Sequence, residues 1–191
     1  LDTPAYKIAS FELTDLKLIE RVSLTRKPLF MSTGMATFDE INDAVQCAKA
    51  NGAQDILLFH CISSYPAPIE QSNLKAIQTL KKEFGVKVGL SDHTIGNIAA
   101  ISSVALGANA IEKHFTLDRA DKGPDSEFSI EPMELKELVS QTESTWLSLG
   151  LGSINRETCE NSSLIFRRSL YFVKPLRAGE HITKDSIRRI R

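Results

Sequence analysis

The sequence predicts an α/β protein organised around a parallel sheet. Three observations carry that expectation. Short apolar runs recur along residues 5–115, each separated from the next by about one helix of amphipathic spacing. The run Ile56 to Phe59 is apolar without alternation, as a strand covered on both faces must be. A polar residue also follows the carboxyl end of every run: Ser10, Ser32, Ser63, Ser91 and His114.

Taken in order, the strands are expected at Ala5 to Ser10, Pro28 to Thr33, Asp55 to Cys61, Val86 to Asp92 and Ala110 to Phe115. The first helix is expected over Asp15 to Thr25. The second runs from Phe38 to Ala50, because Thr37 with Glu40 three residues later forms a capping box and Gly52 follows as a C-cap. Leu74 to Phe84 stops at Gly85, and Ile98 to Leu106 stops at Gly107. A last helix, Pro132 to Leu149, closes a first domain over 1–150. Gly150-Leu-Gly152 then begins a polar linker, 151–163. Beyond it, Arg168 to Val173, the turn Arg177-Ala-Gly-Glu180 and Ile182 to Arg191 read as the start of a small β-rich module over 164–191.

Five βα units fall short of eight, and an open sheet would accommodate them. Polar residues at every strand end nevertheless match a barrel whose active site is assembled from many βα loops. The expectation is therefore about strands 4 to 8 of a TIM (β/α)8 barrel, with three strands preceding Leu1.

The 191 residues are 42% hydrophobic and 25% charged, with a formal net charge of −1. This balance excludes a disordered chain and leaves no basic footprint for nucleic acid. No apolar stretch reaches the roughly 18 residues that a bilayer span requires, and the opening from Leu1 to Ser10 lacks the layout of a secretory leader, so a cytoplasmic protein without a membrane is expected. Cys47, Cys61 and Cys159 are too scattered for a disulfide framework or a paired zinc motif. Cys61, following a strand, is placed to line a pocket.

Side chains alternate across a strand, so Ser91 and His93 share one face, as do Glu112 and His114. Two imidazoles at equivalent positions of successive units can converge on one divalent ion. Alternatively, each is a hydrogen-bonded strand-end residue. Lys7, on an otherwise apolar strand, needs an anion nearby. The four serines can donate to a phosphate or carboxylate, or else satisfy loop backbone.

The segments Tyr6-Lys-Ile-Ala-Ser-Phe-Glu12, Met31-Ser-Thr-Gly-Met35, His60-Cys-Ile-Ser-Ser-Tyr-Pro66, Gly89-Leu-Ser-Asp-His-Thr94, Glu112-Lys-His-Phe-Thr116 and Gly123-Pro-Asp125 together resemble the sialic acid synthase family, and 168–191 resembles the opening of that family's antifreeze-like (SAF) domain. The resemblance implies condensation of phosphoenolpyruvate with an N-acetylated amino sugar aldehyde. It implies that Lys7, Ser10, Ser32, Ser63 and Ser91 bind phosphoenolpyruvate, that His93 and His114 hold Mn²⁺ or Mg²⁺, and that Glu12, Tyr65, Asp125 and Arg191 meet the acceptor. Glu12 is also expected to orient the acceptor or relay a proton, and Arg191 to act across a domain-exchanged homodimer. Phe11, where neuraminate synthases usually carry glycine, and Ser63, where they commonly carry asparagine, point to the pseudaminic acid subgroup, whose acceptor is 2,4-diacetamido-2,4,6-trideoxy-L-altrose. N-acetylneuraminate or legionaminate synthesis remains an alternative. Two other classes stay open: a Schiff-base aldolase using Lys7, since alternation turns Lys113 away from the Glu112 and His114 face, and a non-catalytic sugar-binding module.

Overall fold

The computed structural model describes residues 3–191; Leu1 and Asp2, where the expected first domain and the reading of the chain's opening begin, lie outside the described residues. Two compact units divide the chain, Leu1–Gly150 and Leu151–Arg191.

The first unit contains β1 (Tyr6–Ile8), α1 (Leu16–Ser23), β2 (Leu29–Ser32), α2 (Phe38–Ala50), β3 (Ile56–Cys61), α3 (Ala76–Phe84), β4 (Lys87–Asp92), α4 (Ile98–Ala105), β5 (Ile111–Lys113) and α5 (Pro132–Ser148). The strands form one sheet in the order β1-β2-β3-β4-β5, and every neighbouring pair is parallel. Parallel neighbours need crossovers, and crossovers of one hand without reversal of strand order gather the helices on one face. The result is a curled half-barrel rather than a doubly wound sheet with a switch point.

Alternation assigns each strand residue to a face. Ile8, Leu29, Met31, Ile56, Leu58, Val88 and Leu90 pack with Ile19, Val45, Ala48, Ile77 and Phe84 of the helices in one buried cluster. β3, central in the sheet, is buried at all six positions. On the opposite face Phe30 meets Phe59 edge-on with ring centroids 6.2 Å apart. Phe59 lies over β4 because Gly89 is there: a Cβ at that position would stand 2.6 Å from the Ala110 carbonyl and 2.8 Å from the Phe59 ring.

Local signals set most boundaries. Thr37 Oγ1 accepts the Glu40 amide and the Glu40 carboxylate accepts the Thr37 amide at 2.7 Å, closing the capping box of α2. Asp15, expected inside α1, caps it instead, accepting the Leu18 amide at 3.0 Å. β1 and β5, each with a single neighbour in this sheet, are shorter than their apolar runs. The chain enters a 3-10 turn at Ser10–Glu12 after β1. Past β5, Phe115 bridges to Ile130.

In the second unit a 3-10 helix covers Thr158–Phe166, so part of the stretch expected as a polar linker is helical. β6 (Ser169–Phe172) and β7 (Ile187–Ile190) pair antiparallel. Among the described residues no helix is long and apolar enough to cross a membrane.

Candidate functional site

Parallel register carries Lys7, Ser32, Cys61, Ser91 and Glu112 onto the sheet face that does not meet the helices. The anion that Lys7 requires is supplied within the chain: its Nζ lies 3.0 Å from the Glu112 carboxylate. Ser91 donates to the same carboxylate at 2.8 Å. Both members of the Lys7–Glu112 pair are about one-third or more exposed, with side-chain exposures of 32% and 42%.

Two of the serines, Ser10 and Ser63, converge on Gly34. Ser10 Oγ accepts the Gly34 amide at 3.1 Å and donates to Cys61 Sγ at 3.5 Å. A Cβ on Gly34 would collide with Ser63 Oγ and lie 2.7 Å from Ser10 Oγ. Glycine is what lets these hydroxyls approach the backbone. The hydroxyls of Ser32 and Ser63 are buried without a hydrogen-bond partner. Unsatisfied buried hydroxyls are costly, and such donors suit an anionic ligand.

His93 and His114 sit just past β4 and β5, with ring centroids 5.3 Å apart and planes at 70°. Tyr65 covers both, at 4.2 Å from the His93 ring and 5.9 Å from that of His114, and Phe128 closes on His114 at 5.0 Å. The Ile62 carbonyl, 2.8 Å from His93 Nδ1, accepts a proton from it, so in the neutral ring the lone pair is on Nε2. His114 Nδ1 faces the Asp125 carboxylate at 3.6 Å. Burial disfavours the charged form of His93, but Cys61 and the Ile62 carbonyl outweigh it and hold the pKa above the ordinary imidazole value. For His114 the balance is the reverse, with burial and the nearby His93 pulling its pKa down. Burial pushes the Tyr65 phenol up, as do the negative groups Cys61, Asp125 and Glu112 around it.

An imidazole nitrogen binds a metal at about 2.0–2.1 Å, so rings at this separation can share one ion. Among the described residues no three His, Cys, Asp or Glu side chains gather into a closed cage. A pair of imidazoles in an acidic neighbourhood fits an ion that keeps most positions for water and substrate.

Not every expected residue joins this set. Glu12 is exposed and its carboxylate accepts the Ala9 amide at 2.8 Å, capping its own turn; the carboxylate beside Lys7 is that of Glu112. Tyr65 lies against both histidines and Asp125 beside His114. Arg191 belongs to the second unit, where its Nε donates to the Phe166 carbonyl at 2.8 Å and its guanidinium lies over the Phe166 ring. Glu112, Gly34 and Phe128 enter the site without having been assigned to it from sequence, and Cys61, expected to line a pocket, lies there between Ser10 and His93. For Glu112 the signal was present, since alternation already placed it on the face of His114.

Comparison with known proteins bears directly on this arrangement. Residues 1–153 match the NeuB family. Pseudaminic acid synthase of Helicobacter pylori is 42% identical over 193 residues, covering 100% of this chain and 56% of the relative. N,N'-diacetyllegionaminic acid synthase of Campylobacter jejuni is 41% identical over 185 residues, covering 95% and 55%. The chain thus spans about half the length of the curated relatives it matches. Among solved structures, the N-acetylneuraminic acid synthetase of Leptospira borgpetersenii, in complex with citrate, superposes with a TM-score of 0.80 at 37% identity over 87% of this chain and 58% of that one. The chain belongs to the NeuB, or sialic acid synthase, family.

Proposed function

We propose that this chain is the larger part of the catalytic domain of a pseudaminic acid synthase, joining phosphoenolpyruvate to 2,4-diacetamido-2,4,6-trideoxy-L-altrose. The observation that carries the reading is the convergence, on one sheet face, of Lys7 and two partnerless buried serine hydroxyls with the His93 and His114 pair. The half-barrel corresponds to about strands 4 to 8 of an eight-stranded barrel, and residues 164–191 to the start of an SAF domain.

In the reaction, C3 of phosphoenolpyruvate bonds to the aldehyde carbon, whose oxygen takes a proton. Water adds at C2, and phosphate departs as the C2–O bond breaks and the 2-keto group forms. Lys7 and the hydroxyls of Ser10, Ser32, Ser63 and Ser91 hold the anion and stabilise it as it leaves. They are arranged before the reaction, which is where such donors contribute most. His93 and His114 would hold Mn²⁺ or Mg²⁺, which when bound would supply Lewis-acid polarisation of the acceptor carbonyl. Tyr65 and Asp125, beside the two rings, face the acceptor. Glu112 exchanges its contact with Lys7 when phosphoenolpyruvate enters. Arg191 meets the acceptor of the partner's barrel in a domain-exchanged dimer, whose existence sedimentation of the complete protein would check.

The complete protein, given phosphoenolpyruvate labelled with ¹⁸O at the bridging position together with the altrose derivative, should release the label in inorganic phosphate. Label retained in the sugar acid would mean P–O cleavage and would overturn this mechanism. Turnover only with the aldehydes leading to N-acetylneuraminate or legionaminate would reassign the acceptor. The near-equal identity to a legionaminic acid synthase gives that second reading its weight. Borohydride trapping of a Lys7 adduct would instead identify a Schiff-base aldolase.

A further inference from the structure

We infer that the buried Asp92–Lys113 pair is a positioning device that sets the separation of His93 and His114. The inference rests on the reading above only for the role of the two histidines.

β4 and β5 pair through just three positions, Leu90↔Ile111, Ser91↔Glu112 and Asp92↔Lys113. The ladder therefore ends one residue before each histidine. Beyond it no strand pairing ties residue 93 to residue 114; the segment after β5 turns to Ile130 instead, whose amide bonds the His114 carbonyl at 2.9 Å.

Side chains take over where the ladder stops. Lys113 Nζ donates to Asp92 Oδ2 at 2.8 Å and to the Thr94 carbonyl at 2.8 Å. Asp92 Oδ1 accepts the Thr94 amide at 2.9 Å. His93 is thus enclosed by a closed circuit: the residue before it and the residue after it are both fixed to the residue preceding His114. The Ala67 amide, bonded to the His93 carbonyl at 2.9 Å, holds that carbonyl as well.

The pair occupies the helix-facing side, with side-chain exposures of 3% and 1%, opposite the face that carries the two rings, and acts on them through charge. Apolar residues of similar size often replace a buried ion pair without loss of stability. What such residues cannot supply is direction: two hydrogen bonds from one ammonium and two onto one carboxylate define where residues 93 and 94 lie relative to 113. Ligand geometry of this kind tolerates displacements of only a fraction of an ångström.

Removing one partner leaves the other charge buried, which can unfold the chain, so the test removes both. Crystals of the complete, metal-free protein and of its Asp92→Leu/Lys113→Met variant should differ in the ring separation of His93 and His114 by about 1 Å or more, with the melting temperature close to that of the parent. Manganese alone, titrated into both proteins and followed by the electron paramagnetic resonance of free Mn²⁺, should bind the variant about 10–100-fold more weakly. An unchanged ring separation overturns the inference, whatever the metal does. If the variant merely melts earlier with the rings in place, the pair is structural only and the inference likewise fails. If the parent protein binds no Mn²⁺, the metal assignment of the proposed function falls, and the ring separation still decides the role of the pair.

Discussion

Two ion pairs tie strands of this sheet and face opposite ways, one between the neighbours β4 and β5 and one between the edge strands β1 and β5. Lys113–Asp92, on the helix side, spans 2.8 Å and is almost wholly buried. Lys7–Glu112, on the open side, spans 3.0 Å with both partners partly exposed. The chemistry is the same and the consequence is not. The sealed pair has no competitor for its hydrogen bonds, so it fixes backbone. In the open pair a ligand's anion can replace Glu112, so Lys7 is available for binding. Position relative to the sheet, not residue type, decides which lysine holds the fold and which serves the site.

The largest effect that this contrast predicts is on stability. Lys113→Met should cost about 3–5 kcal/mol, because Asp92 is left buried and uncompensated. Lys7→Met should cost less than about 1 kcal/mol, the range of exposed pairs. Denaturant unfolding of the complete protein measures both, and equal costs would break the contrast.

Activity should sort the other way. With stability nearly unchanged, Lys7→Met should lower turnover of phosphoenolpyruvate on the order of 10²–10³-fold, the usual consequence of losing one preorganised charge-stabilising donor. Steady-state kinetics beside a melting curve separates this from unfolding. A smaller loss is expected of Gly34→Ala: its new methyl displaces Ser63 and Ser10, and a shift of that size costs roughly 10–100-fold. The loss should appear against phosphoenolpyruvate and spare the KM of the sugar.

Much of this was legible in the sequence, for reasons that particular residues make plain. Thr37 and Glu40 cap α2 through contacts three residues apart, and such local chemistry reads directly from spacing. The histidines and Ser91 followed from alternation at the ends of apolar runs. The partner of Lys7 did not, because Glu112 lies 105 residues away and register brings it there. Register is not written in any one strand, and a slip of one residue would exchange the faces of both lysines. Glu12 was assigned to the site by resemblance, and the turn after β1 directs its carboxylate to Ala9. Gly34 was quoted within a motif, but its role depends on Ser63 approaching from the loop after β3.

The smallest predicted effect sharpens the same contrast by adding pH. His60 lies on the sealed side of β3, 6% exposed, with its Nε2 2.7 Å from the Ser72 carbonyl. Burial lowers its pKa below the ordinary imidazole value, and the Ser72 carbonyl opposes this only in part. A histidine whose pKa is depressed by folding favours the folded state as the neutral ring. That contribution is fully present above the unfolded value of about 6.5 and is lost as pH falls through the lower folded value, where the unfolded chain binds the proton more readily. Unfolding free energy should therefore decline between about pH 6.5 and more acidic conditions, and His60→Gln should flatten that part of the profile while leaving the pH dependence of phosphoenolpyruvate binding unchanged. The reason is the face on which each group sits: protons taken up on the sealed side act on stability, and those taken up on the open side act on the ligand. A His60→Gln profile as steep as that of the parent would place the acid sensitivity elsewhere and remove His60 from the sealed face's account.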